Sequence, residues 1–396
     1  MKVLIVGAGI AGTTLAYWLR RAGHRTTLVE RAPELRRGGY LIDFWGAGFE
    51  VADRMGVVDE LMRRGIRVER ADQVNRSGRR FASLDPSVFV RAAGDRYVSI
   101  PRGELAAVLH GALVGPLPGE PAEVLLDEEV RALTDTGDRV LVELTRGGTR
   151  EFDLVVGADG LHSSIRQLAF APEEDLAVQL GLAVAAFDLE GPVVEAERVV
   201  TMYAEVGLQV ALVQGPAGTT MVLFSFRHDG PLSAGRSAQE AFLADRLAGA
   251  GWRVPELLVA LPTARTLYLD RMSQIRMTSW STGRVALVGD AAASVSPLAG
   301  QGSALAMVES YVLAAELDRC ADDHVAAFGA YQALLQPLLR QKQRAAPGLR
   351  LVFAPRDRFQ LAVRQLLMRA VGRPVVRDRV FGSLRDAIVL PAPAGG

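Results

Sequence analysis

Cysteine is nearly absent from this 396-residue chain: Cys320 stands alone. An internal disulfide framework is thereby excluded, and a cysteine-ligated metal cluster has no ligands. A single thiol fits a reducing compartment, so a cytoplasmic location is expected. Lysine is almost as scarce, at Lys2 and Lys342, and the other basic residues are arginines. The five histidines, His24, His110, His162, His228 and His324, show no metal-ligand spacing, and no metal is expected. Among them, His228 beside Phe226 and Arg227 is the candidate to face a substrate. No apolar run is long enough to span a bilayer. The short apolar N-terminus runs straight into glycines, unlike a signal peptide. An excess of one charge is also missing: the formal net charge is zero. That balance removes the global electrostatic case for nucleic acid.

What is present is ordinary globular composition, 49% hydrophobic and 23% charged, in a chain long enough for two packed regions. Val3-Leu4-Ile5-Val6 reads as a buried strand, Thr13 to Arg21 as a helix that Gly23 stops, and Thr26 to Glu30 as a second strand. This is a βαβ start. Gly48 to Met55 and Arg102 to Leu113 read as helices. Arg67 to Val74, Arg80 to Leu84 and the pieces between Glu123 and Phe152 read as strands. Leu154 to Val156 and Val285 to Val288 are again short buried strands. Val178 to Phe226 reads as an antiparallel sheet with glycine and proline turns, followed by a helix near Ala238 to Leu247. Gly300 to Leu317 is a long helix, and the chain beyond Val325 is mostly helical. Pro391 to Gly396 is the expected disordered tail.

Three motifs carry chemistry. Gly7-Ala8-Gly9-Ile10-Ala11-Gly12 lies between a strand and a helix. Gly7 makes the turn, Gly9 admits a pyrophosphate and Gly12 lets helix and strand pack closely. The N–H groups from Gly9 through Ile10 and Ala11 sit at the positive helix end. Glu30 ends the second strand where an acid accepts from ribose hydroxyls, with Arg31 beside it. This pattern leaves NAD and FAD open. The second motif is Asp159-Gly160 with Ser163 and Arg166, after the strand Leu154 to Val156. The third is Gly289-Asp290-Ala291-Ala292, then Pro297 and Gly300-Gln301-Gly302 with Ser303.

Taken in this order, the motifs resemble those of the class A FAD-dependent monooxygenases, the para-hydroxybenzoate hydroxylase-like family. Pro101-Arg102-Gly103-Glu104-Leu105 resembles that family's Arg-x-x-Leu segment. Gly38 to Asp43 and onward to Gly56 looks most like its tetracycline-inactivating branch. Ala293 departs from the family, which usually has histidine there. The resemblance implies an α/β fold, α+β overall. Its parts are a Rossmann-like FAD-binding domain of the glutathione-reductase type, an inserted antiparallel-sheet substrate domain and C-terminal helices. The boundaries expected are 1–73, 97–177 and 265–345 for the FAD-binding domain. The substrate domain takes 74–96 and 178–264, and the helical segment takes 346–396.

The same resemblance implies FAD as cofactor, NADPH or NADH as transient reductant, and O2 as co-substrate. Oxygen adds at flavin C4a, and the hydroperoxide passes one atom to a small, aromatic or polycyclic substrate. Cofactor-binding roles then fall to Gly7, Gly9, Ile10, Ala11, Gly12, Glu30, Arg31, Arg37, Arg102, Asp159, Gly289, Asp290, Pro297, Gly300, Gly302 and Ser303. Pro297, Gly300 and Gln301 are the catalytic positions. Asp290 accepts from the ribityl chain, Pro297 stands at the flavin face, and the helix from about Gly300 points at N1–C2=O. Residues 36–45 line the moving ring, and Arg37 meets the pyrophosphate or NAD(P)H unless it is simply solvated. A flavin oxidase or reductase that adds no oxygen is the alternative. A halogenase is disfavoured, because Trp252 is not in that family's tryptophan motif and neither lysine is well placed. The late arginines, alternating with Leu351, Phe353, Leu361, Leu366 and others, are expected to face solvent from helices that pack their apolar side, which makes a membrane partner unlikely. The expected assembly is a monomer or homodimer. Phe187, Met202, Tyr203, Met221, Phe224 and Phe226 suggest an apolar pocket on the inserted sheet, although core packing is the more common fate of any one of them.

Overall fold

In the computed structural model the residues described are 1–35, 40–85, 96–191, 193, 198–215, 218–296, 298, 300–321, 323–370 and 388–393. Among them a six-stranded sheet runs in the order Ser281–Thr282, Val285–Leu287, Leu154–Gly157, Lys2–Val6, Arg25–Glu30, Glu123–Leu126. All its pairs are parallel except the first. Val3, Leu4, Ile5, Leu154, Val155 and Val156 are fully buried, because helices and a three-stranded antiparallel sheet of Val130–Asp135, Val140–Leu144 and Gly148–Phe152 cover the sheet and leave its central strands no polar face. The helix Ile10–Arg21 packs against Gly302–Arg319, with Trp18 edge-on to Tyr311 at 4.8 Å between ring centroids.

A seven-stranded sheet runs Leu267–Ile275, Ala177–Leu189, Thr220–Arg227, Leu208–Gln214, Val199–Glu205, Arg70–Val74, Arg80–Leu84. It is antiparallel apart from Val199–Glu205 with Arg70–Val74. Its outer face buries Ala185, Phe187, Val210, Phe224 and Phe226 beneath the helices Arg236–Arg246 and Val254–Ala260. Its inner face turns Leu182, Val184 and Met272 toward Leu298, Ala346 and Ala354. The architecture is the expected one: a parallel α/β sheet, an inserted and mainly antiparallel sheet, and C-terminal helices.

Several expectations need correction. Residues 70–73 and 267–275 were assigned to the segments 1–73 and 265–345, but both strands hydrogen-bond into the seven-stranded sheet. Their partners are distant in sequence, so local pattern could not assign them. The aromatic side chains Phe187, Tyr203, Phe224 and Phe226 are closed into the outer core rather than lining a pocket. His228 also belongs to that side: its Nε2 lies 3.1 Å from the carbonyl of Pro231, and its ring meets Phe242 edge-on. On the helix Arg358–Ala370 the expected amphipathicity is reversed in part. Arg364 is buried, donating to Val352 O, Gln73 Oε1 and Gln209 Oε1, while Phe359 and Leu366 are exposed. Desolvation lowers the Arg364 guanidinium to about 10. Three neutral amide acceptors replace water around it, which is why the side chain can turn inward.

The tail is not wholly free either. Leu390 is buried in the main core, and the Pro391 carbonyl accepts from Tyr311 Oη at 2.7 Å and Arg54 Nη1 at 2.6 Å. Deleting residues 389–396 removes one buried leucine and two acceptor contacts. The expected loss is about 2–4 kcal/mol, measured by urea unfolding against the intact chain.

Candidate active site

At the first glycine turn, Gly7 has φ +104°, and a Cβ on it would lie 2.6 Å from the carbonyl oxygen of Ala158. A Cβ on Gly12 would lie 1.9 Å from the carbonyl oxygen of Gly7. Both glycines are therefore demanded by packing alone. Gly9 differs, since a Cβ there would meet nothing within 4 Å. Thr13 N donates to Gly9 O at 2.9 Å, which leaves the N–H groups of Ile10, Ala11 and Gly12 without helical partners. Open space thus lies beside free N–H groups at a helix N-terminus, the environment a pyrophosphate takes. Glu30 closes the turn: its carboxylate accepts from Ala8 N and Ala32 N, each at 3.0 Å. Arg31 next to it is exposed.

The second loop follows Leu154–Gly157. Asp159 is engaged in capping the helix Ser164–Ala169, accepting from Ser163 Oγ, Ser164 N at 2.7 Å and Ile165 N at 3.2 Å. Its expected cofactor contact is therefore not through a free carboxylate; Gly160, at φ +81°, supplies the open backbone. Arg166 is fully buried and donates to Leu161 O at 2.6 Å, Glu173 Oε2 at 3.1 Å and Ala291 O at 3.2 Å. It cross-links this loop to the third motif. His162 is held between Glu173 Oε2 and Asp270 Oδ2, each at 3.0 Å. The hydrogen bonds to Asp270 and Glu173 raise its imidazole to about 10.

In the third motif Gly289 turns at φ +64°, where a Cβ would crowd Ala11 at 3.1 Å. Gly289 N donates to Glu309 Oε2 at 2.8 Å, and Tyr331 Oη lies 3.4 Å from the same oxygen. Burial pushes the Glu309 carboxyl up to about 8, with the charge of Asp290 adding to the effect. Asp290 is exposed yet sits deep among protein groups, as a side chain lining a cleft does. Desolvation raises its carboxyl and nearby Arg102 opposes that rise. Arg102 begins the helix Arg102–Val114 and donates its backbone N–H to Tyr40 O at 3.0 Å. Gly300 takes φ +65°, and the helix itself starts at Gly302 with Gln301 as its N-cap. The N–H groups of Gly302 and Ser303 open that helix, two residues later than expected. Pro297 and Arg37 lie outside the described residues.

Two residues missed in the sequence complete the site beside Tyr40. Tyr268 and Asp270 on Leu267–Ile275 face inward, with Tyr268 Oη donating to Asp270 Oδ2 at 3.3 Å. The Tyr268 and Tyr40 rings are 5.9 Å apart. Burial raises both phenols, Arg102 opposes the rise, and Asp290 and Asp270 add to it. The alternation Tyr268-Asp270-Met272 was a signal for an inward-facing set, but nothing local tied it to Asp290.

The FAD binding domain family matches residues 1–324. The chain belongs to that family. It is similar to a flavin-dependent monooxygenase from an unknown prokaryotic organism, 33% identical over 345 residues, 86% of this chain and 87% of the relative. An uncharacterized protein of Mycobacterium tuberculosis is 36% identical over 360 residues, 87% of this chain and 92% of its own. The solved structure of tetracycline destructase Tet(55) is 30% identical, with a TM-score of 0.82 over 99% of this chain and 98% of that one. The protein is an FAD-dependent monooxygenase, and the glycine turn and cleft described above fit that cofactor.

Two glycine variants separate packing from binding. Gly12→Ala is expected to destabilise the apoprotein by about 1–3 kcal/mol or more, through overpacking. Gly9→Val should leave its melting temperature within error and weaken FAD binding more than about tenfold. Thermal melts of apoprotein and FAD titrations distinguish the two. Glu309 generates a pH prediction. With the folded carboxyl raised from 4.5 to about 8, the folded state keeps a proton that the unfolded state releases. Stability therefore falls as pH rises from 4.5 to 8 and levels off above. Relative to Glu309→Gln, which keeps an acceptor for Gly289 N, the wild-type apoprotein should lose roughly 3–5 kcal/mol across that window. Urea unfolding at several pH values measures it.

Proposed function

We propose that this FAD monooxygenase uses NAD(P)H and puts one atom of O2 into a small aromatic or polycyclic substrate. The substrate lies between the flavin-binding loops and the inner face of the seven-stranded sheet. The observation that carries this reading is the meeting of Tyr268 and Asp270, from the sheet, with Tyr40, Arg102 and Asp290 in one cleft. FAD, when bound, supplies electron transfer from NAD(P)H and activation of O2 at C4a.

The chain's own residues do the rest. The N–H groups of Ile10, Ala11 and Gly12 hold the pyrophosphate, and Glu30 accepts from ribose hydroxyls with the lone pairs that Ala8 N and Ala32 N leave. Asp290 accepts from the ribityl chain beside Arg102. Gly302 and Ser303 present helix N–H groups to the flavin edge where negative charge collects. Gly300 and Gln301 shape that approach. Roles for Pro297 and Arg37 rest on the family resemblance. Likeness to a tetracycline destructase supports a polycyclic substrate. The division into a flavin-binding part and a sheet that takes substrate belongs to the same reading.

Purified holoprotein with NADPH and 18O-labelled O2 should convert a phenolic or polycyclic compound to a product heavier by one labelled oxygen. Products that only lose or gain hydrogen would instead mark a flavin oxidase or reductase.

A further inference from the structure

Asp188 lies on the strand Ala177–Leu189 between Phe187 and Leu189, both closed into the outer core. Its side chain therefore points to the inner face. The register places it opposite Met221, which lies opposite Val213. The adjoining inner row is Ala186, Leu223, Ala211 and Met202, four neighbours on successive strands. Leu223, Ala211 and Met202 are only half-buried although they sit in the middle of the sheet, with Leu223 at the edge of the inner cluster around Val184 and Met272. An apolar floor is thus left open toward the cleft. Val184 pairs with Asp270 at the flavin-loop side. Asp188 is four residues farther on, about 13 Å along the strand.

Two other acids at the cleft are ion-paired: Asp270 with His162, and Glu173 with His162 and Arg166. Asp188 has no hydrogen bond or ion pair among the described residues, and desolvation is the sole influence raising its carboxyl. A partly desolvated carboxylate on an apolar face costs stability unless something neutralises it. No cation among the described residues does so.

We propose that Asp188 is a specificity-determining residue that receives a protonated amine of the substrate, whose apolar body lies across Met202, Ala211 and Leu223. This rests on the inner face being the substrate floor. Equilibrium dialysis of the FAD holoprotein with two probes tests it: the cationic tricycle 9-aminoacridine and the anionic 1-anilinonaphthalene-8-sulfonate. Asp188→Asn should weaken 9-aminoacridine binding about tenfold or more, leave the sulfonate bound at least as tightly, and leave the melting temperature unchanged or higher. Equal cation affinity in both proteins, or no cation binding by the wild type, overturns the assignment. So does a lowered melting temperature with both probes lost, which marks a structural aspartate. FAD content is read separately from visible absorbance. A wild-type protein that cannot retain FAD overturns the flavoenzyme reading and this proposal with it, whereas a holoprotein indifferent to Asp188→Asn overturns only the latter.

Discussion

Crowding at the carboxyl ends of three parallel strands governs this molecule. Lys2–Val6, Leu154–Gly157 and Val285–Leu287 end side by side, and at the end of each stands a glycine with no room for a Cβ. Gly7 leans on Ala158, Gly12 on Gly7, Gly157 on Leu287 and Gly289 on Ala11. Because the turns are so close, three loops remote in sequence open onto one cleft. That is the general position of ligand sites in open α/β sheets, outside the carboxyl ends of the strands. The glycines thus serve two purposes that the structure separates: most of them close the protein on itself, and Gly9 leaves space.

A charged lattice then fixes the loops relative to one another. Buried Arg166 donates to carbonyls of two motifs and to Glu173. Desolvation lowers its guanidinium; the three acceptors take its terminal nitrogens, while Nε is left buried without a partner among the described residues. His162 carries the lattice across to the seven-stranded sheet through Asp270. Its raised imidazole contributes stability that is complete below about 6.5 and is lost only as pH rises through about 10. At neutral pH the bridge between loop and sheet is therefore charged, and Asp270 beyond it holds Tyr268 in the cleft.

Much of this was legible because it is local. A strand, a glycine turn and a helix are contiguous, so the βαβ start and the turns at Gly7 and Gly289 could be read from the sequence. The family resemblance carried the choice of FAD. What could not be read depends on pairing at a distance. Arg70–Val74 reads as polar until Val199–Glu205 lies beside it. Phe224 and Met221 occupy the same strand, and composition does not say which one faces the cleft. The reversed helix Arg358–Ala370 follows from Gln73 and Gln209, which stand on strands far away in sequence. Asp159 looked like a ligand contact, and its capping role emerged only from the donors around it.

The discontinuous first sheet has a kinetic consequence. Strand 2–6 pairs locally with 25–30, but its other neighbour is 154–157, which pairs in turn with 285–287, so long loops must close to complete the sheet. The strands between 177 and 227 pair mostly with near neighbours and pay much less loop entropy. As the chain emerges from the ribosome, the inserted sheet can assemble while the first sheet still lacks the strand at 285–287. The sheet that carries the family's glycine motif can therefore be completed only after residues 285–287 are made.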